Sequence, residues 1–149
     1  MRQIITAFVL CLSLAACSTT SAVLQAPAAA IAGPYGYVFD NEGGDDLAAI
    51  AELDRAIQRT LKDAGLFVPG TAGRRIEVAL THFYLRSDGA RFWAGAMAGR
   101  DKIISRVRVV EADGAQVASF EVTSTNATAA GSSGGLINRH AEEILAQLK

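Results

Sequence analysis

The stretch "KIISRVRVVEADGAQVASFEVTST", from Lys102 to Thr125, decides the fold. It contains two runs in which apolar and polar residues alternate, the pattern of β-strands with one buried face. Between the runs stands Asp113-Gly114, a dipeptide that strongly favours a two-residue turn between antiparallel strands. The stretch therefore predicts a β-hairpin with Asp113 and Gly114 as its loop.

The register of this hairpin follows from the position of the loop. One face then brings together small or apolar residues, in the pairs Val109–Ala118, Val107–Phe120 and Ser105–Val122. The opposite face is more polar and holds the pairs Arg106–Glu121, Arg108–Ser119 and Val110–Val117. Because a shift of one residue would mix the two faces, the first is predicted to lie on the core and the second to face solvent.

Two amphipathic helices and two further strands are predicted around the hairpin. The first helix has apolar residues every three or four positions, at Leu47, Ile50, Leu53, Ile57, Leu61 and Ala64. Asp45 or Asp46 is expected to cap its start, and Gly65 to end it. The second helix carries the stripe Leu136, Ile137, His140, Ala141, Ile144 and Leu148. Alternation predicts strands near Tyr35–Phe39 and Ile76–Leu80.

These elements predict one α/β domain of the α+β type over residues 35–149, in the order β-α-β-β-β-α. The expected architecture is a two-layer sandwich, in which a mixed, mostly antiparallel sheet of about four strands carries both helices on one face. The chain has 149 residues, half of them hydrophobic, which is enough for one compact domain. Its formal net charge of −1 argues against a nucleic-acid partner, because such proteins carry a basic excess.

The amino terminus predicts export and a lipid anchor. Residues 1–16 combine one early basic residue with a short apolar run, as in a signal peptide. Leu14-Ala15-Ala16-Cys17 resembles the lipobox of bacterial lipoproteins, which implies cleavage before Cys17 and lipidation of Cys17, for example with palmitate. The alternative is an ordinary signal peptide or amino-terminal anchor helix, with Cys17 incidental. Residues 17–34 are predicted to be the lipidated amino terminus and a flexible tether.

The lipobox resemblance also implies a location. An aspartate after the lipidated cysteine usually signals retention in the inner membrane, and here that residue is Ser18. The expected location is therefore the periplasmic face of the outer membrane, with the membrane itself as a partner through Cys17. Since Cys11 would leave with the signal peptide, Cys17 alone remains, so disulfides, metal–thiolate clusters and a cysteine nucleophile are not expected.

Catalytic and metal-binding motifs are not found in the sequence. His82 and His140 fall at positions that their neighbours use for burial, and they are predicted to pack rather than to bind a metal. Four carboxylates, Asp40, Glu42, Asp45 and Asp46, lack the spacing of a calcium loop, and helix capping is the preferred interpretation. The sequence therefore predicts a protein that is not an enzyme and needs no cofactor or metal.

An interaction surface is the main functional hypothesis for the folded part. The segment "ARFWAGAMAGRDK" combines an arginine and an aromatic pair with glycines, at Arg91, Phe92, Trp93, Gly95 and Gly99. The alternative is a loop or bulge that leads into the next strand. Residues 74–108 hold eight basic residues against three acidic ones, which indicates either a contact surface for an anionic partner or a solvated sheet face.

The same segment, with the hairpin, a glycine-rich link and the terminal helix after it, resembles domain-of-unknown-function family 4410, a family of uncharacterised bacterial lipoproteins. The shared features are Arg91 before Gly95 to Gly99, a long strand, the Asp113-Gly114 turn and a second strand. The resemblance supports an α/β periplasmic fold and implies no activity. The preferred hypothesis is a non-catalytic module that binds or assembles another envelope component, such as a protein. The alternatives are a small-ligand or glycan-binding module that uses Phe92 and Trp93, and, less favoured, a hydrolase.

Overall fold

The computed structural model describes residues 17–27, 33–70, 73–86, 100–126 and 132–149, and they form one sheet covered by two helices. The strands are β1 (Cys17–Gln25), β2 (Gly36–Asn41), β3 (Arg75–Tyr84), β4 (Asp101–Val110) and β5 (Gln116–Asn126). The helices are α1 (Leu47–Asp63), between β2 and β3, and α2 (Ser133–Ala146), after β5. The sheet order is β1-β5-β4-β3-β2, with β2 and β3 parallel and all other neighbours antiparallel. The predicted fold class is confirmed, with five strands instead of four.

The fifth strand is β1, and it corrects the prediction of a flexible tether over residues 17–34 for residues 17–25. Cys17–Gln25 pairs antiparallel with β5 and forms an edge of the sheet. Its small hydroxyl side chains bond across the strands: Ser18 Oγ lies 2.9 Å from Thr125 Oγ1, and Thr19 Oγ1 lies 3.0 Å from Ser124 Oγ. Because these hydroxyls replace the apolar residues of an ordinary strand, the segment has no hydrophobic period.

The hairpin of β4 and β5 has the predicted core register but a longer loop. Ser105, Val107 and Val109 lie opposite Val122, Phe120 and Ala118, as predicted. The N–H of Gly114 donates to the carbonyl of Glu111 (3.0 Å), and the N–H of Glu111 donates to the carbonyl of Ala115 (2.9 Å). The loop is therefore Ala112–Gly114, with Gly114 at a φ of 89°, which suits glycine.

A bulge on β5 absorbs the extra loop residue. Val110 pairs with Gln116 and not with the predicted Val117, while Val109 still faces Ala118. Val117 is therefore the extra residue of the bulge. From Val109 and Ala118 toward the core, the register is the one that a two-residue loop would have given. This compensation explains why the predicted pairing is right in the core although the predicted loop is wrong.

A second bulge, in β3, changes the position of His82. The pairing with β4 shifts between Leu80 and His82, so Thr81 is the extra residue. Alternation is interrupted there: Leu80 and Phe83 are buried, whereas His82 is exposed. The prediction that His82 packs on the apolar side is therefore wrong, because a bulge exchanges the two faces of the strand beyond it.

Both helices pack on the inward residues of the sheet and close a single hydrophobic core. The predicted stripe of α1 is buried from Ile50 to Leu61, while Leu47, at the first position, is 71% exposed. Asp46 caps α1 by accepting the N–H of Ala49 at 3.1 Å, as predicted. Gly65, at a φ of 70°, ends the helical turn. No helix among the described residues is both long and apolar enough to cross a membrane.

Candidate functional site

The predicted lipidation residue, Cys17, is the first residue of β1 and stands at one end of the sheet. Its Cα partner is Asn126, the last residue of β5, and Asn126 in turn pairs with Asp101, the first residue of β4. We call this the Cys17 end of the sheet. An anchor at Cys17 would act on the folded sheet directly, because no linker lies between the residue and the strand.

A buried ion pair lies at the Cys17 end. The side chains of Arg86 and Asp101 have no solvent exposure, and Arg86 Nε donates to Asp101 Oδ1 at 3.1 Å. Arg86 donates further to Asp101 Oδ2 at 3.4 Å and to the carbonyl of Asn126 at 3.1 Å, while its backbone N–H donates to Asp101 Oδ1 at 2.8 Å. Two buried charges are tolerated only when they are paired and hydrogen-bonded in this way. The pair therefore joins the ends of β3, β4 and β5.

The predicted contact residues lie outside the described part of the chain; they are Arg91, Phe92, Trp93, Gly95 and Gly99. The last described residue before them is Arg86 and the first one after them is Arg100, which is exposed and directly precedes β4. The chain thus leaves and re-enters the described fold at the Cys17 end. The described residues on either side of this segment, Arg86 and Arg100, therefore lie at the same end of the sheet as Cys17.

His140 is enclosed between two serines in the middle of the core. Its Nδ1 lies 2.9 Å from Ser124 Oγ and its Nε2 lies 2.9 Å from Ser105 Oγ, and all three residues have no solvent exposure. Burial lowers the pKa of His140 to about 4, so the imidazole is neutral near pH 7. The prediction that His140 packs in the core is confirmed. Its two bonds fix α2 to β4 and β5, and neither serine is open to a substrate.

Ion pairs account for most of the basic region 74–108. Five arginines pair with acids, in the contacts Arg74–Glu111, Arg75–Glu77, Arg86–Asp101, Arg106–Glu121 and Arg108–Glu77. Two of the partners, Glu111 and Glu121, come from outside the region. Four of the five pairs lie on partly exposed side chains, and the two acids from outside the region reduce its basic excess from five to three.

Metal-ligating side chains do not converge in the described ranges of the chain, since no group there brings together three or more His, Cys, Asp or Glu residues. Of the four carboxylates before α1, Asp46 caps the helix. The turn before the helix is held by Asn41, whose side chain accepts the N–H of Gly44 at 3.1 Å and donates to the Gly44 carbonyl at 2.9 Å. Asp40, Glu42 and Asp45 are exposed to solvent.

A cavity of about 590 Å³ lies at the other end of the sheet, where β1 ends and both helices end; we call it the distal cavity. Apolar side chains dominate its walls, among them Val23, Tyr35, Ala64, Val109, Ala118 and Leu148. The polar side chains include those of Gln25, Gln147 and Lys149. The sequence pattern did not predict this site because its walls come from six separate segments. The only local signal was the apolar pair Val23 and Leu24, which are 60% and 55% exposed.

Comparison with solved structures identifies similar folds. A single-substitution variant of the PelC dodecamer from Paraburkholderia phytofirmans has a TM-score of 0.61 and 16% sequence identity, over 88% of this chain and 97% of that one. The PelC dodecamer from the same organism in a second crystal form has a TM-score of 0.59 and 14% identity, with the same coverage. At these identities the likeness shows the fold alone. No family model and no curated protein matches the chain.

Proposed function

We propose that this chain is a lipoprotein anchored through Cys17 to the periplasmic face of the outer membrane, with a non-catalytic domain that binds or assembles another envelope component. The observation that carries the proposal is the place of Cys17 at the start of β1. Acyl chains attached there would hold the Cys17 end against the bilayer and leave the distal cavity facing away from it. Two or more acyl chains give stable anchoring.

The described polar residues support a binding role over catalysis. His140 is neutral and enclosed, and the Arg86–Asp101 pair is fully buried, so both serve the fold. The resemblance to the family of uncharacterised lipoproteins supports an envelope module, whereas the likeness to PelC supports only the fold. A second candidate, a module that binds a small ligand, is favoured by the distal cavity.

Anchoring is tested by metabolic labelling with radiolabelled palmitate followed by membrane fractionation. The wild type should be labelled and should sediment with the outer membrane, and Cys17→Ser should lose the label and leave that fraction. Ser18→Asp is the matched control for location, because it keeps Cys17 and is expected to move the labelled protein to the inner membrane. A Cys17→Ser protein that is still labelled and still in the outer membrane would refute the anchor.

Assembly with copies of itself is the form of partnership that the fold supports. The similar structures are dodecamers, and β1 is an uncharged edge strand, the kind of edge that other strands can join. Native mass spectrometry of the wild type should show an oligomer. Thr20→Lys, on the edge strand, should dissociate it, and Thr123→Lys, the pairing partner of Thr20 on the interior strand, is the control. If both variants dissociate it, the sheet face is the contact; a monomeric wild type would contradict self-assembly.

A further inference from the structure

The distal cavity has the size and the lining of a small-molecule site. Its volume of about 590 Å³ falls inside the range of roughly 300–1,000 Å³ that is typical of ligand pockets. Val23 lines it and is 60% exposed, although it belongs to the strand that closes the sheet. Covering this exposed apolar side chain with a bound apolar group would be favourable, because it would remove apolar surface from water.

The chemistry of the walls selects an apolar tail. The buried lining side chains are mainly aliphatic or aromatic, such as Val109, Ala118 and Phe120, and these three offer no hydrogen bonds. A sugar or another polar ligand would lose its bonds to water there without replacement, which costs several kcal/mol for each buried polar group. A hydrocarbon chain has no such cost, and each methylene that it buries strengthens binding about fourfold.

The charges around the cavity select an anionic head. Lys149 contributes an ammonium group and Gln25 and Gln147 contribute amides, while no aspartate or glutamate is among the described residues that line it. The Lys149 ammonium attracts an anion, and side-chain amides can donate hydrogen bonds to it. We propose that the distal cavity binds a single-chain fatty acid, with its tail between β1, β4 and β5 and its carboxylate beside Lys149.

The ligand is distinct from an acyl anchor on the same chain. Eight residue steps separate Cys17 from Gln25 along β1, which at about 3.3 Å per residue places the two ends of the strand about 26 Å apart. The cavity opens at the end remote from Cys17. The inference thus goes beyond the proposed anchoring and partner binding, and either can fail without the other.

Photo-crosslinking in membranes tests the proposal on the full chain. Cells that produce the protein receive a C16 fatty acid with a diazirine near the end of its tail, and the purified protein is digested and analysed by mass spectrometry after irradiation. The expected result is a light-dependent adduct on peptides that contain Val109, Ala118 or Leu148. Acyl groups on Cys17 appear without light, so the two events are separated. The adduct mass distinguishes a free fatty acid from a lysophospholipid.

Two pairs of variants make the result specific. Ala64→Phe adds a ring to the cavity wall and should reduce the adduct to the level seen without light, whereas Ala51→Phe, on the exposed side of α1, should not. Lys149→Glu should reduce it about threefold, the size of an exposed ion pair, whereas Arg139→Glu, an equal change on the exposed face of α2, should leave it unchanged. Lys149 is exposed, so its replacement tests the head group without disturbing the core.

Competition completes the test. Unlabelled palmitate should displace the probe better than hexadecanol, which has the same tail and no charge. The proposal is overturned if wild-type protein gives no light-dependent adduct on these peptides. Equal labelling of Ala64→Phe and the wild type would overturn it as well.

Discussion

The two ends of the sheet differ in the polarity of their buried side chains. At the Cys17 end, Arg86 and Asp101 are buried together, and four hydrogen bonds connect them to each other and to Asn126. At the other end, apolar side chains surround an unfilled volume of about 590 Å³. A buried charge is destabilising without its partner, whereas apolar groups that fill an apolar cavity increase the free energy of unfolding. One end should therefore be intolerant of change, and the other should accept added volume.

Removing one charge at the Cys17 end should have the largest effect. Asp101→Asn keeps the size of the side chain but removes the negative charge that faces the buried Arg86 guanidinium. We expect the free energy of unfolding to fall by about 3–5 kcal/mol, measured by urea denaturation followed by circular dichroism.

The double variant Arg86→Met/Asp101→Leu separates charge from packing. Because apolar replacements remove both desolvation costs, the double variant should be more stable than Asp101→Asn. A double variant that is less stable than the single one would show that the hydrogen bonds to the strand ends, and not the loss of the Asp101 charge, dominate at this end.

Lowering the pH should weaken the middle of the sheet through His140. The folded pKa is about 4 against 6.5 for an ordinary histidine, so between these values the unfolded chain binds a proton that the folded chain excludes. Stability from this residue is complete above 6.5 and falls by about 3 kcal/mol as the pH drops to about 4. Urea denaturation of wild type and His140→Gln across this range should show a smaller pH slope in the variant. The exposed His82→Gln is the control, and equal slopes for His140→Gln and wild type would contradict the assignment.

Filling the distal cavity should raise stability. Ala64→Leu places an aliphatic side chain in the cavity at the end of α1, where the backbone already has helical angles. We expect the free energy of unfolding to increase by about 1 kcal/mol in delipidated protein. A decrease of similar size in the free energy of unfolding would mean that the cavity cannot accept a branched side chain. Both ends of the sheet would then be intolerant of change.

An exposed ion pair sets the lower limit of the series. Arg106 and Glu121 face each other across β4 and β5 at 3.8 Å, with side chains 54% and 34% exposed. Glu121→Gln should change the free energy of unfolding by less than about 1 kcal/mol, and the change should vanish in high salt. An effect as large as that of Asp101→Asn would remove the distinction between buried and surface charge in this molecule.

The sequence predicts an element well where a pattern of neighbouring residues is itself what stabilises that element. The helical stripe of α1, the Asp46 cap and the core register of the hairpin follow from spacing alone, because each depends on neighbours along the chain or on a turn signal. The strand β1 was missed since its hydroxyl side chains, such as Ser18, which bonds to Thr125, leave no hydrophobic period in β1.

Bulges and buried charges were the other failures, and both are tertiary. Nothing in "ALTHFYL" marks Thr81 as the extra residue that turns His82 outward and Phe83 inward. Arg86 looked like one more member of a basic region, and only its meeting with Asp101, after a long intervening segment, makes it a core residue. The distal cavity was not predicted for the same reason, because its lining residues come from separate segments that meet only in the folded protein.

The pairing of β1 with β5 also constrains the order of folding. Contacts such as Ser18–Thr125 and Thr19–Ser124 join residues more than a hundred positions apart, so they close the largest loop in the sheet. Closing long loops is slow because its entropy must be lost before any contact forms. Strand β1 is also the first of the described strands to be synthesised, whereas its partner β5 is the last. The edge strand should therefore be the last to join the sheet, and hydrogen exchange during refolding should show its amide protons protected after those of β3 and β4.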